Sequence, residues 1–227
     1  EERPIEPEKK EMVIQAAIQA PSAGNMTLYS IIDVTDQKLK ETLAVTCDNQ
    51  PFIAKAPMVL VFCADYQKWY DLFLQREEEV RKPGMGDFML ASCDALIAAQ
   101  NAVTAAQALG IGSCYIGDIM ERYETHRDLL HLPKYVVPTA MVVFGYPTKQ
   151  QEEREKPVRL PAQAVVSENT YRRQEASEYA EYLSDRQGKT EEEFDRWLHA
   201  FCKRKWNSDF SAEMSRSVEV MMRQWAE

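Results

Sequence analysis

The chain has 227 residues, of which 45% are hydrophobic, enough for one large domain or two small ones with a buried core. Its 27 Lys and Arg residues stand against 36 Asp and Glu residues, and the net charge of -9 provides no overall electrostatic footprint for nucleic acid or an acidic membrane surface. The charged N-terminus "EERPIEPEKKE" is unlike a signal peptide, and no run reaches the roughly eighteen apolar residues of a membrane span. We therefore expect a soluble protein.

Five cysteines and three histidines are spread along the chain: Cys47, Cys63, Cys93, Cys114, Cys202, His126, His131 and His199. The cysteines show no C-x-x-C spacing and their number is odd, which argues against a disulfide framework or a zinc site. A reducing cytoplasm is the compartment that we expect. The histidines form no H-x-x-x-H pattern, and we predict ordinary surface or helix-end positions for them.

The first part of the chain alternates helical and strand patterns. Apolar residues at helical spacing precede Pro21, which ends the first helix, and "PMVLVFCA" is typical of a buried strand. The predicted elements are a helix over 6–20, a strand over 28–34, a helix capped by Thr35 or Asp36 that runs through Val45, and a strand over 57–64. This order suggests layers of helices and sheet.

Two different helical patterns follow. Residues 65–80 are amphipathic, whereas residues 87–109 carry only two charges, both Asp, and are rich in Ala. The second pattern predicts a central helix that packs on a sheet or on another copy of itself. The remaining predicted elements are a C-cap at Gly110, a short strand "IGSCYIG", a helical stretch through Leu130, a strand over 136–145, an extended arm until Ser167, and two or three helices over 168–227.

Several catalytic signatures are missing from the sequence. "LGIGSCYIG" is not a dinucleotide-binding fingerprint, because Gly110-x-Gly112 follows a helix and is followed by Tyr115. No nucleophile elbow, phosphate-binding G-x-x-x-x-G-K-[ST] loop or H-E-x-x-H helix occurs. The usual sequence signatures of hydrolases and kinases are therefore missing. Runs of Glu such as Glu77–Glu79 are typical of solvated faces.

Three segments carry residues that a packed core does not require: the small and polar loop Ser22–Thr27, the strand "GSCYIG", and "EKPVRLP" in the extended arm. Together they offer backbone and hydroxyl donors, a small-residue surface for a flat ring, and cations suited to a phosphate. A planar phosphorylated cofactor would need these three features.

The chain resembles the nitroreductase family of FMN-dependent NAD(P)H oxidoreductases, close to its NADPH-dependent flavin reductase branch. The matching segments, in family order, are "APSAGNMTLYSIIDVTD", "PFIAKAPMVLVFCADY", "DALIAAQNAVTAAQALGIGSCYIGDI", "LPKYVVPTAMVVFGYP" and "KPVRLPAQAVVSENTYR". The resemblance implies an α+β fold with a central, mostly antiparallel sheet flanked by helices, an intertwined homodimer, and FMN at the dimer interface. It also implies that residues 1–145 form the core and that 146–227, the arm and C-terminal helices, complete the same domain and dimer.

The resemblance further implies which residues bind the cofactor. The predicted set is Ser22, Ala23, Gly24 and Asn25 along the flavin and its ribityl chain, Gln50 at the polar edge of the ring, Tyr115, Ile116 and Gly117 beside the isoalloxazine, and Lys156 and Arg159 at the phosphate. The basic cluster Lys203, Arg204 and Lys205 is a candidate for the extra phosphate of NADPH. No catalytic side chain and no metal is assigned, because the flavin carries the chemistry.

Structural alternatives remain open for these residues. Ser22 and Asn25 could cap a turn, Gln50 could be an exposed loop side chain, and Tyr115 could belong to the core. Lys156 could form a surface pair within "EEREK", and the basic cluster could reflect the attraction of cations to a helix C-terminus.

Three departures from the family pattern bear on the cofactor. The family usually opens with an Arg-Arg-Ser-x-Arg segment that holds the FMN phosphate, and this chain begins with "EERPIEP". Either such a segment precedes residue 1 or phosphate binding is weaker. Thr27 stands where many members carry Gln, and Phe52 stands where close relatives often have Tyr.

The implied function is ping-pong hydride transfer from NADPH or NADH through FMN to a nitroaromatic, a quinone or a free flavin. Two alternatives are a flavin-binding or partner-binding module without turnover, and a fold relative with another flavin reaction such as reductive dehalogenation. The arm "KPVRLP" and the strand "YIGDI" favour the reductase.

Overall fold

The computed structural model describes residues 1–226, which divide into two compact units. The first unit contains Glu1–Glu152 and the chain from Ala212 onward, and the second contains Glu153–Ser211. The predicted division at residue 145 stays a prediction.

The predicted helices and strands are present in the predicted order, together with two short helices over 52–55 and 149–152 that the sequence did not predict. They are α1 (Pro7–Ile18), β1 (Tyr29–Asp33), α2 (Gln37–Thr46), α3 (Phe52–Lys55), β2 (Met58–Asp65), α4 (Gln67–Leu74), α5 (Met85–Ala108), β3 (Gly112–Ile116), α6 (Tyr123–Leu130), β4 (Val136–Gly145), α7 (Lys149–Glu152), α8 (Ala176–Gln187), α9 (Glu191–Lys205) and α10 (Asp209–Ala226). Three short 3-10 helices cover Ala23–Asn25, Gly117–Met120 and Ala162–Ala164.

The first unit is built on a four-stranded sheet in the order β1-β2-β4-β3, and every neighbouring pair is antiparallel. All eight residues of β2 are buried, as its unbroken apolar run predicts for a central strand. β3 lies at an edge and pairs only with β4, where Tyr115 faces Val142. The predicted α+β class with an antiparallel sheet is confirmed.

Helices cover both faces of the sheet. α1 and α5 pack on one face, where alanines of α5 such as Ala95, Ala98 and Ala102 are fully buried beside Leu60 and Phe62. Small side chains let this helix approach the strands closely. The end of α2, the helix α3 and the Gly117–Met120 turn pack on the other face.

α5 is the one helix among residues 1–226 that is long and apolar enough to cross a membrane by length and composition alone. A core helix passes the same test, and α5 makes its contacts with α1 and with the sheet. Its opposite face leaves Met89, Leu90, Leu96 and Ile97 between 42% and 61% exposed.

The ends of several helices can be compared with the ends that the sequence predicts. The N-cap of α2 is Asp36, whose Oδ1 accepts the backbone N–H of Leu39 at 2.7 Å, as predicted. The predicted helix over 65–80 is wrong about its end, because α4 stops at Leu74, before the acidic run Glu77–Glu79. The arm also contains the short helix α7, which its prolines and charges did not predict.

The second unit pairs α8 with α9. Gly188, at φ +58°, ends α8 in the left-handed conformation, and a capping box between Thr190 and Glu193 starts α9. The rings of Trp197 and Phe201 stack at 5.0 Å along α9. With α10, the tail contains three helices, in agreement with the two or three that the sequence predicts.

Candidate functional site

The loop between α1 and β1 is held by a carboxylate on the central helix. Asp94 of α5 is 3% exposed, and its carboxylate accepts the backbone N–H of Ala23 at 2.9 Å and that of Leu28 at 3.2 Å. On the other side, the indole N–H of Trp69 donates to the carbonyl of Met26 at 2.6 Å. The predicted cofactor loop is therefore braced at both ends and in its middle.

The backbone of this loop adopts conformations that a simple turn does not need. Gly24, Asn25 and Thr27 have φ values of +55°, +57° and +52°. A β-branched residue such as Thr27 is rarely found there, and such strain costs about 1–3 kcal/mol and is typical of functional segments. The hydroxyl oxygen of Ser22 accepts the N–H of Thr27 at 3.0 Å, so Ser22 does cap this turn, and its hydroxyl hydrogen remains able to donate.

The predicted ring contacts lie at the sheet edge. Tyr115 of β3 is 42% exposed, and its hydroxyl donates to the side-chain oxygen of Gln100 on α5 at 3.4 Å. Gly117 is the first residue after β3, and the space beside its backbone is open, because a β-carbon there would meet no atom within 4 Å. The side chain of Ile116 differs, since it is 2% exposed and belongs to the core.

α5 connects these two segments. Asp94 holds the Ala23 end of the loop and Gln100 contacts Tyr115, and six helical residues span about 9 Å. The structure therefore brings the Ser22–Asn25 loop and the Tyr115 edge to the same helix.

Gln50 lies between α2 and α3, half-buried, with its side-chain N–H donating to the carbonyl of Cys47 at 2.8 Å. The alternative of a free exposed loop side chain is not what the structure shows. Burial raises the pKa of the nearby Cys47 thiol to about 12, which keeps it protonated.

A buried histidine connects the Gln50 segment with the Gly117 segment. His126 of α6 is fully buried, with Nδ1 at 2.9 Å from the carbonyl oxygen of Ile119 and Nε2 at 2.9 Å from Oγ1 of Thr46. Burial lowers the pKa of His126, so the ring is neutral, and a carbonyl partner places the hydrogen on Nδ1. The predicted surface or helix-end position is wrong for this histidine, whose ring nitrogens contact α2 and the Gly117–Met120 turn.

Glu121 is an unusual carboxyl group in the same region. It is 6% exposed, and its Oε1 has no hydrogen-bond partner among residues 1–226. Burial first, and then the charges of Asp118 and Asp48, raise the pKa of Glu121 to about 7. Asp118 is the residue after Gly117, and Asp48 lies two residues before Gln50. The pKa of Glu121 therefore depends on charges in both the Gly117 segment and the Gln50 segment.

The remaining predicted residues lie in the second unit. Lys156 and Arg159 are exposed and form no ion pair or side-chain hydrogen bond within residues 1–226, so the surface pair within "EEREK" is not formed. Lys203, Arg204 and Lys205 occupy the last turn of α9, where Arg204 lies 5.8 Å from the ring centre of Phe201. Their roles stay predictions.

The first unit also contains an open cleft of about 610 Å³ between the N-terminus, α3 and the strands β3 and β4. Phe52 and Cys114 line it, together with Lys55, which pairs with Glu2 at 3.2 Å. None of the predicted cofactor residues borders this cleft. The volume of this cleft alone would therefore place the functional site elsewhere than in the segments that α5 and His126 connect.

Comparisons with known proteins agree with the fold and the segments. A model described as "Nitroreductase family" matches residues 1–146. The chain is 35% identical over 166 residues to "FMN reductase (NADPH)" of Bacillus subtilis, covering 72% of this chain and 66% of that protein. It is also 35% identical over 170 residues to "Oxygen-insensitive NADPH nitroreductase" of Salmonella typhimurium, covering 75% of this chain and 68% of that protein.

Among solved structures, NADPH:FMN oxidoreductase from Vibrio harveyi complexed with NAD+ has a TM-score of 0.80 and 26% sequence identity, covering 98% of this chain and 91% of that one. The alignments with the curated relatives above span about two thirds of the length of those relatives. The matched region contains the braced loop, the Gln50 segment and the Tyr115 edge, and the chain belongs to the nitroreductase family.

Proposed function

We propose that the chain is an FMN-dependent NAD(P)H oxidoreductase that reduces nitroaromatics, quinones or flavins by ping-pong hydride transfer. The relatives named as FMN reductase and NADPH nitroreductase support this assignment. The observation that carries it is the placement of the braced Ser22–Asn25 loop and the open Tyr115–Gly117 edge along one helix.

The residues present fit a flavin. Gly117 leaves open space beside its backbone and Tyr115 offers an exposed ring, so a flat heterocycle can lie against this edge. Polar groups suited to a ribityl chain and a ring edge come from Ser22, Asn25 and Gln50. Most amide N–H groups of the loop already have partners within the protein, so we expect side chains to make most of its contacts with the cofactor.

FMN, when bound, supplies the two-electron chemistry between NAD(P)H and the acceptor. The chain contributes binding and orientation. Asp94 fixes the loop, His126 fixes the Gln50 segment relative to the Gly117 turn, and the exposed cations Lys156 and Arg159 are suited to the phosphate.

We further propose a homodimer and a cytoplasmic location. The dimer is supported by the outer face of α5, where Met89, Leu90, Leu96 and Ile97 are exposed in the single chain. The cytoplasm is supported by five cysteines in the thiol form, including the exposed Cys93.

The test is a visible absorbance spectrum of the purified chain mixed with FMN and desalted, followed by anaerobic addition of NADPH. Retained flavin that bleaches supports the flavoreductase, and NADPH consumption that rises with an added quinone supports turnover. Retained flavin that stays yellow with both NADPH and NADH contradicts it and favours a binding module. A chain that retains no flavin contradicts the assignment for residues 1–227.

A further inference from the structure

The start of α6 is not capped by its own residues. Its N-cap position is Arg122, in the left-handed conformation at φ +45° and without a side-chain cap hydrogen bond. The first N–H groups of a helix have no partner inside the helix and need one from elsewhere, above all when they are buried. Tyr123, the first residue of α6, is 1% exposed.

The C-terminal helix α10 supplies the missing partners. Oε1 of Glu213 accepts the N–H of Arg122 at 3.0 Å, and Oγ of Ser217 accepts the N–H of Tyr123 at 3.1 Å. The hydroxyl of Ser217 in turn donates to Glu213 at 2.9 Å. Ser217 is fully buried, so its hydroxyl serves this contact rather than solvent.

Further contacts fix α10 against α6. The side-chain N–H of Gln224 donates to the hydroxyl of Tyr123 at 2.6 Å. Arg216 binds both carboxylate oxygens of Glu124, at 2.8 and 2.9 Å. This paired geometry holds a defined orientation as well as a charge.

The capped residues continue directly from the candidate flavin edge. The 3-10 turn Gly117–Met120 ends at Glu121, whose N–H donates to the carbonyl of Asp118 at 3.0 Å, and Arg122 is the next residue. We propose that α10 caps α6 through Glu213 and Ser217, and that this cap holds the Gly117–Met120 turn in its position. On the proposed function, the C-terminal helix thereby positions Gly117 for the flavin ring, and Ser217 is a positioning residue.

The experiment compares three variants of α10 in the full chain. Ser217→Ala removes the acceptor of the Tyr123 N–H. Trp225→Leu destabilises the same helix from its buried face, where the Trp225 ring contacts those of Tyr66, Phe88 and Tyr135. Glu219→Gln alters an exposed pair with Arg223. Hydrogen exchange over residues 117–124 is measured on the FMN-free protein. The affinity for FMN is measured by flavin fluorescence, well below the melting temperature of every variant.

We expect Ser217→Ala to speed exchange over residues 117–124 and to weaken FMN binding about tenfold, the order expected for a lost helix cap. Trp225→Leu should lower the melting temperature at least as much while leaving both readouts near wild type, and Glu219→Gln should change neither. Unchanged exchange in Ser217→Ala would overturn the proposal, as would equal effects in Trp225→Leu. A wild-type chain that binds no FMN would refute the proposed function, while the exchange data would still decide whether α10 holds the turn.

Discussion

Asp94 and Ala23 are 71 residues apart in sequence and are joined by a 2.9 Å hydrogen bond from the Ala23 amide to the buried carboxylate. The same carboxylate accepts the amide of Leu28, so both ends of the loop depend on one side chain. Asp94 has no cationic partner among residues 1–226, and backbone N–H groups alone compensate its charge. This bond connects the small-residue loop to α5. The same helix carries Gln100, whose side chain contacts Tyr115.

Asp94→Asn tests this bond. The amide NH2 group cannot accept, and in either orientation of the Asn side chain it faces at least one backbone N–H that the carboxylate now accepts. The charge of the acceptor is also lost, so we expect a loss of about 2–3 kcal/mol in the free energy of unfolding. The loop should also lose its fixed position, and less FMN should be retained after desalting. Urea unfolding and flavin absorbance measure the two effects.

Asp71→Asn is the matched control, because it makes the same chemical change at an exposed position of α4, where the carboxylate accepts from the side chain of Gln67. We expect a change within about 0.5 kcal/mol for this surface position. An Asp94→Asn protein with wild-type stability and flavin content would show that the loop does not depend on the carboxylate.

Thr46→Val tests the connection between the Gln50 segment and the Gly117 turn. The change removes the hydroxyl that meets Nε2 of His126 at 2.9 Å and leaves this buried nitrogen only the longer contact with Sγ of Cys47 at 3.8 Å. We expect a loss of about 1–2 kcal/mol and a weaker affinity for FMN. Chemical denaturation and a fluorescence titration with FMN give the two values.

Thr42→Val makes the same chemical change one turn earlier on α2. Within the described part of the chain, the Thr42 hydroxyl donates only to the carbonyl of Lys38 in its own helix, so it connects α2 to no second element. If the two variants lose the same amount of stability and affinity, the effect belongs to α2 and not to the His126 connection.

Glu121→Gln tests the pH dependence of stability. The pKa of Glu121 is raised to about 7 by burial and neighbouring acids, above the 4.5 of a free side chain. The folded state therefore binds this proton more tightly than the unfolded state, and stability is lost as pH rises from about 4.5 through 7. The neutral Gln removes this loss, so the variant should gain on the order of 1–3 kcal/mol over wild type at pH 8 and much less at pH 5.

Thermal unfolding at pH 5 and pH 8 measures this difference. Glu219→Gln is the control for the change in net charge, since Glu219 is exposed on α10. A gain for Glu121→Gln that is equal at both pH values would contradict the raised pKa.

The sequence predicts the elements of this fold because each signal is local. Asp36 caps the helix that follows it, the apolar run of β2 is buried, and the Ala-rich pattern of α5 produces a helix packed on the sheet. The small and polar loop at Ser22–Asn25 and the edge residue Tyr115 were also visible, through resemblance to a family. These features depend on neighbours within a few residues or on a recurring motif.

The contacts that hold the site together join residues far apart in the chain, and they left only weak signals in the sequence. Asp94 was visible only as a charge in a nearly uncharged helix, and a lone His126 in a charged segment looks like a surface residue. The cap from Ser217 to Tyr123 joins residues 94 positions apart. Ser217 lies in a charged tail whose sequence indicates a solvated helix, and Tyr123 follows a turn with no distinctive sequence pattern. Such pairings require the folded chain because no local spacing encodes them.

Arg204→Ala combined with Lys205→Ala tests the basic end of α9. Both side chains are exposed and lie near aromatic rings, Arg204 by Phe201 at 5.8 Å and Lys205 by Phe210 at 5.6 Å. If they contact the extra phosphate of NADPH, the Michaelis constant for NADPH should rise about tenfold or more while that for NADH stays near wild type. Arg196→Ala, on the same helix and paired with Glu192, is the control. Equal increases for both nucleotides would contradict this role.

Ile97→Glu tests the outer face of α5 as the contact between two copies. Four apolar residues recur at helical spacing on the side of α5 away from the sheet and are exposed in the single chain: Met89, Leu90, Leu96 and Ile97. Leaving such an apolar patch in water is unfavourable. A carboxylate buried in an apolar contact without a partner costs several kcal/mol, so we expect the variant to sediment as a monomer at concentrations where wild type is a dimer.

Val45→Glu places the same charge on an exposed apolar position of α2, where Val45 is 58% exposed, and should leave the dimer intact. If FMN binds at the dimer interface, as the resemblance implies, the monomeric Ile97→Glu protein should also retain less flavin. A wild-type chain that sediments as a monomer would refute the dimer directly. A dimer that survives Ile97→Glu would mean that another surface joins the copies, since a charge at the centre of a dry contact could not be accommodated there.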